Sequence, residues 1–330
     1  MLTDKETYMY RRKFIGLGAT LAGLGTLPTT LAQAWPARPI KLIVPFIPGS
    51  APDVIARGLS ERLTMALGQA VVIDNKPGAG GNIGLDAIAK SAGDGYTLGL
   101  GTSSLSINPY LYRKVPFDPI NDFTPINLTY AMPHALIVQA DSPLKTVADL
   151  VRMLKAAPAK YNYASGGNGS GAHLCAELFK AMAGVDALHV PYRGAPEIIT
   201  SVMGASALFG FPTLSTAVPL VKGGKIRALG VTGPKRNAAL PEVSPVGETV
   251  QGFEVVSWFA VMAPAKFPVE LVRRIDQEIQ KALADPAFRD KVQADGTEIV
   301  GLGHQAFPDY LRQDLQKWKR AVELSGAKVD

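Results

Sequence analysis

Three loops of this chain share one arrangement, in which an apolar strand runs into a turn rich in Gly, Pro and Ser and then into a helix. The turns lie at residues 48–50, 77–84 and 165–171. The first N–H groups of a helix have no acceptor within the helix, and the helix dipole adds partial positive charge there. Such loops bind anions without a Lys or Arg side chain. Three of them in one chain predict a carboxylate or phosphate ligand.

The acidic and histidine side chains near these loops form no catalytic or metal-binding pattern. Asp53 has two interpretations of equal weight: it contacts the ligand or orients the first loop, or it is the N-cap of the following helix. His173 and His189 are more typical of structural histidines than of catalytic bases. His134 and His304 lack the H-E-x-x-H spacing of a zinc site. We therefore predict no catalytic residue, no metal and no cofactor.

Three other functions stay open as alternatives. Residues 167–172 fit the G-x-G-x-x-A fingerprint of dinucleotide binding, but the following strand, at 187–192, lacks the acidic residue that binds the ribose. A secreted α/β hydrolase would place its serine in G-x-S-x-G, and neither Ser165 nor Ser170 lies in that motif. The third alternative is a ligand sensor for a membrane signalling partner. A binding protein needs none of these motifs.

The first 34 residues have the order of an export signal. Arg11-Arg12-Lys13 precedes an apolar stretch at 14–31, and Ala32-Gln33-Ala34 fits a signal-peptidase site. The basic run also resembles a twin-arginine signal, so export by that route or by general secretion stays open, as does initiation at Met1 or Met9. We predict a periplasmic protein with residues 1–34 as the signal peptide.

The charge of the sequence argues against a nucleic acid partner, and its cysteine content excludes an intramolecular disulfide. The formal charge of the 330 residues is +6, and removal of residues 1–34 takes away four basic and two acidic side chains, which leaves +4. The basic residues are scattered, so no nucleic acid partner is predicted. Cys175 is the only cysteine of the sequence, which excludes an intramolecular disulfide, and its apolar neighbours predict a buried position.

Strands and helices alternate along residues 40–231. Several predicted strands are continuous apolar runs, which is typical of parallel strands covered on both faces. They lie at 40–46, 71–74, 96–101, 136–138, 161–164, 187–190, 207–211 and 226–231. Helices are predicted at 53–67, 146–157 and 172–183 and, after a strand at 255–263, at 268–283, 286–295 and 305–325. This order predicts an α/β fold with open, doubly wound sheets, and the strand count favours two of them.

Motifs in order along the chain carry a resemblance to a known family. They lie at residues 38–46, 48–49, 53–57, 75–84, 93–98, 162–166, 169–170, 173–174, 189–194 and 224–229, and later at 258, 263–264 and 268. These segments resemble the Bug-type receptors, the periplasmic solute-binding components of tripartite tricarboxylate transporters. The resemblance implies a two-lobed periplasmic binding protein of type II, each lobe a doubly wound sheet flanked by helices. It implies residues 35–137 as lobe 1, 138–254 as lobe 2, and 255–330 as a return to lobe 1 with C-terminal helices.

The resemblance also implies a set of ligand-binding residues. In this family, backbone amides and small hydroxyls of the first two loops typically hold the ligand carboxylate. On the first lobe the matching positions are Phe46, Pro48, Gly49, Ser50, Gly80 and Gly81, with Asp53 beside them. On the second lobe they are Ser165, Gly169, Ser170 and His173. Charge-assisted hydrogen bonds from such amides would favour a carboxylate.

Two departures from the family pattern affect the expected ligand. Ser50 stands where a second Gly is usual, and residues 204–211 lack the usual acidic residue. We therefore expect an apolar end of the pocket and a dicarboxylate or aromatic carboxylate rather than an amino acid. The implied mechanism is capture by closure of two lobes, in a monomer that is not an enzyme. The closed form would be recognised by membrane transporter subunits or a sensor kinase.

Overall fold

Two β-sheets flanked by helices form the described part of the chain. The computed structural model describes residues 35–329, so the predicted signal peptide lies outside the described residues. The strands are β1 (Ile40–Val44), β2 (Val71–Asn75), β3 (Thr97–Thr102), β4 (Phe123–Pro133), β5 (Ala135–Gln139), β6 (Asn162–Ser165), β7 (Leu188–Pro191), β8 (Phe209–Gly210), β9 (Ile226–Val231), β10 (Val256–Pro264) and β11 (Glu298–Gly303).

The helices lie between these strands and after them. They are α1 (Ala51–Leu67), α2 (Asn82–Ala89), α3 (Ser104–Leu111), α4 (Val147–Ala156), α5 (Gly171–Ala183), α6 (Ala195–Met203), α7 (Leu214–Lys222), α8 (Val269–Ala284), α9 (Pro286–Gln293) and α10 (Phe307–Ser325). Between residues 35 and 329 no helix is long and apolar enough to cross a membrane.

The first sheet has the strand order β11-β4-β10-β3-β1-β2. Strand β1 pairs in parallel with β2 and β3, while β10 pairs antiparallel with β3 and β4. Its core contains the completely buried side chains of Leu85, Ile88 and Phe307, from helices that pack on the sheet. The helices that follow β1 and β3 therefore start at the same edge of this sheet, where the parallel strands end.

The second sheet has the strand order β7-β6-β8-β5-β9. Strand β6 pairs in parallel with β7 and β8, and β5 pairs antiparallel with β8 and β9. Each sheet with its helices forms one half of the protein. Cys175 is fully buried in the core of the second half, as predicted, and burial raises the pKa of its thiol. The helices after β6, β7 and β8 start at the parallel-strand ends of this sheet.

The chain crosses between the sheets where β4 leads into β5 and again between β9 and β10. His134 is the residue between β4 and β5, and its backbone N–H donates to Thr232 Oγ1 at 2.7 Å. Thr232 donates in turn from its hydroxyl to the Val255 carbonyl at 2.5 Å and from its N–H to the His134 carbonyl at 3.0 Å. These bonds hold the two crossing segments side by side.

The predicted strands and helices agree with the structure to within two residues at each end. Two strands, β4 and β11, and several short helices, including α3, were not predicted. Strand β4 contains the buried polar residues Asn127 and Thr129, which pair with Asp276 and with the Phe259 carbonyl. Strand β5, which the chain enters directly from the other sheet, runs antiparallel to both of its neighbours, β8 and β9.

Candidate functional site

A cavity of about 140 Å³ lies between the two sheets, where loops from both of them meet. This volume is close to that of an engineered cavity of about 150 Å³ that holds benzene. Its apolar surface includes Phe46, Ile198, Trp258 and Phe259. A small organic molecule with an apolar body therefore fits the space.

The polar surface of the cavity comes largely from helix N-termini. Within residues 35–329, five helices begin at the cavity, namely α1, α3, α5, α6 and α7. Their first residues in the lining are Ser50 and Ala51, Ser103 and Ser104, Ser170 and Gly171, Gly194 and Ala195, and Thr213. Each start adds backbone N–H groups and partial positive charge. The arrangement favours an anion over a cation.

Charged side chains reinforce this preference. Among the described residues that line the cavity none is Asp or Glu, and Arg193 is the one Lys or Arg. The Arg193 side chain is exposed and forms no hydrogen bond or ion pair with the described part of the chain, while its backbone N–H donates to Glu197 at 3.2 Å. Its guanidinium is thus available to a ligand carboxylate, which it can bind in a bidentate manner.

His134 and Ser257 form a buried pair on the cavity wall, at the two crossings between the sheets. His134 Nε2 lies 2.8 Å from Ser257 Oγ, and Nδ1 lies 2.8 Å from the Phe211 carbonyl oxygen. Burial lowers the pKa of His134 to about 4, against the smaller opposing effect of the Phe211 carbonyl. The ring is therefore neutral at physiological pH and adds no charge to the cavity.

The predicted ligand-binding residues divide into two groups. Phe46, Gly49, Ser50 and Ser170 line the cavity. The remaining seven lie outside its lining and support it or contact other parts of the chain: Pro48, Asp53, Gly80, Gly81, Ser165, Gly169 and His173.

Asp53 holds the first loop in shape. Ser50, not Asp53, occupies the N-cap of α1, so the capping interpretation was wrong in its position. Asp53 is buried, and its carboxylate accepts from the Gly49 N–H at 2.9 Å, from Arg57 at 2.8 and 3.0 Å, and from Asn75 at 2.9 Å. Burial opposes ionisation, but the Arg57, Gly49 and Asn75 bonds outweigh it and lower the pKa. Asp53 thus fixes the backbone that presents Gly49 and Ser50.

Gly80 and Gly169 lie where the two halves touch beside the cavity. Tyr112, just after α3, donates from its hydroxyl to the Asn168 carbonyl at 3.1 Å. Gly169 has a φ of +80°, and an added Cβ would lie 2.9 Å from the Tyr112 ring and 3.0 Å from Asn108 Oδ1. The absence of a side chain at this position therefore permits the close approach of the loop after β6 to α3.

Ser165 and His173 belong to a cluster in the second half. Ser165 Oγ lies 2.6 Å from His189 Nε2, and the His189 and His173 rings stack with centroids 4.2 Å apart. His173 Nδ1 accepts from the Gly169 N–H at 3.3 Å. Burial, followed by the neighbouring His189, lowers the pKa of His173 to about 4. The cluster fixes the loop that leads to Ser170 at the cavity.

Sequence reasoning missed part of the lining. Its missed polar members include Thr102, Ser103, His134, Thr213 and Ser257. A serine directly after an apolar strand was a usable signal at Ser103, but the pairing of His134 with Ser257 depends on two crossings far apart in sequence.

One sequence expectation about the cavity was wrong in its location. Residues 204–211 do not line the cavity. Ala205, Ala207 and Leu208 lie in a different groove, beside Gln139 and Lys160. The missing acid in that segment therefore does not create an apolar end of the cavity.

The part of the chain from residue 35 to 329 contains no group of three or more His, Cys, Asp or Glu side chains placed to hold a metal ion.

Comparison with known proteins gives consistent similarities. A family model described as "Tripartite tricarboxylate transporter family receptor" matches residues 55–326. The Bordetella pertussis protein BugT is 32% identical over 316 residues, which cover 95% of this chain and 97% of BugT.

Two solved structures share the whole fold. A protein of R. palustris solved with adipate has a TM-score of 0.85 and 33% identity, over 89% of this chain and 100% of that protein. The periplasmic binding protein BugD has a TM-score of 0.83 and 30% identity, over 89% of this chain and 99% of BugD. These similarities confirm the predicted two-lobed α/β fold of periplasmic binding proteins.

Proposed function

Because the chain belongs to the tripartite tricarboxylate transporter receptor family, we propose that it captures a small carboxylate in the cavity between its two sheets. The observation that carries this proposal is the set of five helix N-termini around a cavity with no Asp or Glu in its described lining. Desolvated N–H groups that already point inward bind a carboxylate by charge-assisted hydrogen bonds. A cationic ligand would meet like partial charges and find no carboxylate to pair with.

A dicarboxylate is the preferred ligand class. One carboxylate would occupy the N-termini of α1, α3 and α5, and the second would pair with Arg193, beside the start of α6. The related R. palustris protein was solved with the dicarboxylate adipate, which supports this class. An aromatic carboxylate is the second choice, with its ring against Phe46 and Trp258. An amino acid would bring an ammonium group with no acidic partner in the lining.

The ligand would act by stabilising contacts between the lobes. The cavity is lined from both sheets, so a bound molecule touches both and favours the form in which they approach. Within the periplasm, where receptors of this family act, the closed form would be handed to transporter subunits in the membrane. A sensor kinase is the alternative recipient.

Hydrolysis is not part of the proposal, although two Ser–His pairs are present. Ser165 is fully buried and lies outside the cavity lining, so a substrate would not reach it. His134 contacts Ser257 in the cavity, but a histidine with a pKa of about 4 is a weak general base at neutral pH.

A thermal-shift screen of carboxylic acids on the purified protein tests the proposal. Dicarboxylates should raise the melting temperature in a dose-dependent manner, with and without a chelator, and NAD should not. The Arg193→Ala variant should bind dicarboxylates about tenfold or more weakly, because a charge-assisted bond is lost. Arg320→Ala, an exposed arginine outside the lining, is the matched control. Stabilisation by NAD but by no carboxylate would refute the proposal.

A further inference from the structure

The hydroxyl groups that line the cavity differ in where each places its proton. Ser103 Oγ accepts a hydrogen bond from the backbone N–H of Trp258 at 2.8 Å, and Ser170 Oγ accepts one from the backbone N–H of His173 at 3.2 Å. A hydroxyl that accepts from the backbone keeps its own proton for another acceptor. Within residues 35–329 neither of these two protons is donated to a protein atom. Both hydroxyls can therefore donate to a ligand carboxylate.

Ser257, in contrast to Ser103 and Ser170, gives its proton to a protein atom and can therefore only accept a hydrogen bond from a ligand. The Phe211 carbonyl can only accept, so the proton of the neutral His134 ring resides on Nδ1, and Nε2 has none. His134 Nε2 must then accept the proton of Ser257 across 2.8 Å. The ring is 3% exposed, and burial keeps it neutral by lowering its pKa to about 4. Ser257 Oγ consequently presents only lone pairs to the cavity.

The position of this acceptor is between the donors. Ser257 directly precedes Trp258, whose N–H binds Ser103. On its other side is the start of α5, since a Cβ added to Gly171 would lie 2.6 Å from Ser257 Oγ. A carboxylate oxygen placed against Ser257 would face lone pairs, whereas a hydroxyl on a neighbouring carbon of the ligand would donate to it.

We propose that the ligand is a hydroxy acid, whose carboxylate accepts from Ser103, Ser170 and the helix N–H groups, and whose hydroxyl donates to Ser257. This inference rests on the proposed function, since it refines the carboxylate class. An acid without the hydroxyl leaves the Ser257 acceptor unpaired in a desolvated cavity, and sites built in this way discriminate strongly against the ligand that lacks the donor.

Calorimetry with matched acids tests the proposal on the purified protein. The pairs are malate with succinate, 2-hydroxyglutarate with glutarate, and mandelate with phenylacetate. In each pair that binds, the hydroxylated member should bind about tenfold or more tightly. Ser257→Ala should bring that ratio to about one by weakening the hydroxy acid. Ser170→Ala should weaken both members and leave the ratio in place, because Ser170 donates to the carboxylate that they share.

Three results would overturn the inference. The two acids of a pair could bind with equal affinity, only acids without a hydroxyl could bind, or the ratio of the two affinities could stay unchanged in Ser257→Ala. Each of these leaves the proposed function standing, which fails only when no carboxylate binds. Should Ser257→Ala not fold, as judged by circular dichroism, Ser257→Thr serves in its place. Threonine retains the hydroxyl, so Ser257→Thr should keep the preference, and loss of the preference there would overturn the inference too.

Discussion

The stability of the protein should fall in mild acid because of His134, and the size of the effect follows from its environment. The folded-state pKa of His134 is about 4, below the ordinary value of 6.5, because burial disfavours the charged ring. Between these two values the unfolded chain takes up a proton at this site and the folded chain does not. The contribution of His134 to the free energy of unfolding is therefore fully present above about pH 6.5, and it is lost as the pH falls towards 4.

The expected loss at one histidine is about 2 kcal/mol on going from about pH 7.5 to about pH 5, from the ratio of the two proton-binding polynomials. For an m-value of about 3 kcal/mol/M, this corresponds to a shift of about 0.7 M in the urea midpoint. His173 has a similarly lowered pKa and adds its own loss. A comparison of two proteins that share His173 isolates the effect of His134.

His134→Gln is the matched variant, since a glutamine amide can donate to the Phe211 carbonyl and accept from Ser257 without titrating. Urea unfolding of both proteins at the two pH values gives four midpoints. The wild type should lose about 2 kcal/mol more than His134→Gln, while the carboxylates and His173 cancel in the difference. Equal losses in the two proteins would show that His134 titrates normally, which would contradict its burial as a neutral ring.

The other predictions concern the loops and the ligand. Asp53→Asn should weaken ligand binding several-fold and cost about 1–3 kcal/mol of unfolding free energy, because the Gly49 loop and Arg57 lose a charged acceptor. Unchanged affinity, measured by calorimetry, would separate Asp53 from the cavity. Tyr112→Phe should speed ligand release up to about tenfold in stopped-flow measurements, because the bond to Asn168 between the halves is lost. An unchanged rate would exclude that contact from closure. Aspartate should bind at least about tenfold more weakly than succinate, because its ammonium finds no acidic partner among the described lining residues. Tighter binding of aspartate would refute this.

Hydrophobic periodicity and turn composition were sufficient to predict most of the elements. The strand at 226–231 matches β9 at both ends, because its mostly apolar residues follow closely after the turn residues Gly223-Gly224. Strand β4 was missed because Asn127 and Thr129 interrupt its apolar pattern. Their burial becomes favourable only through Asp276 and the Phe259 carbonyl, from distant parts of the sequence.

The site residues could be predicted from the sequence where their position depends on a single strand–turn–helix segment. Ser50 and Ser170 line the cavity and begin helices, as the strand–turn–helix pattern indicated. Gly169 has the same local pattern but lies against Tyr112, a contact that depends on how the two halves approach each other. His134 and Ser257 carry no local signal, because 123 residues separate the two partners of their hydrogen bond.

The same crossings that connect the sheets also shape the cavity, which links ligand recognition to closure. His134 is fixed by Thr232 on the other crossing segment and orients the proton of Ser257 at the start of β10. A rotation of one half against the other in the proposed closing motion must preserve or strain this chain of bonds. A ligand that pairs with Ser257 binds best when these hydrogen bonds are intact. It therefore stabilises only the arrangement of the two halves that keeps them. The hydroxyl of the proposed ligand would therefore contribute both to specificity and to the equilibrium between open and closed forms.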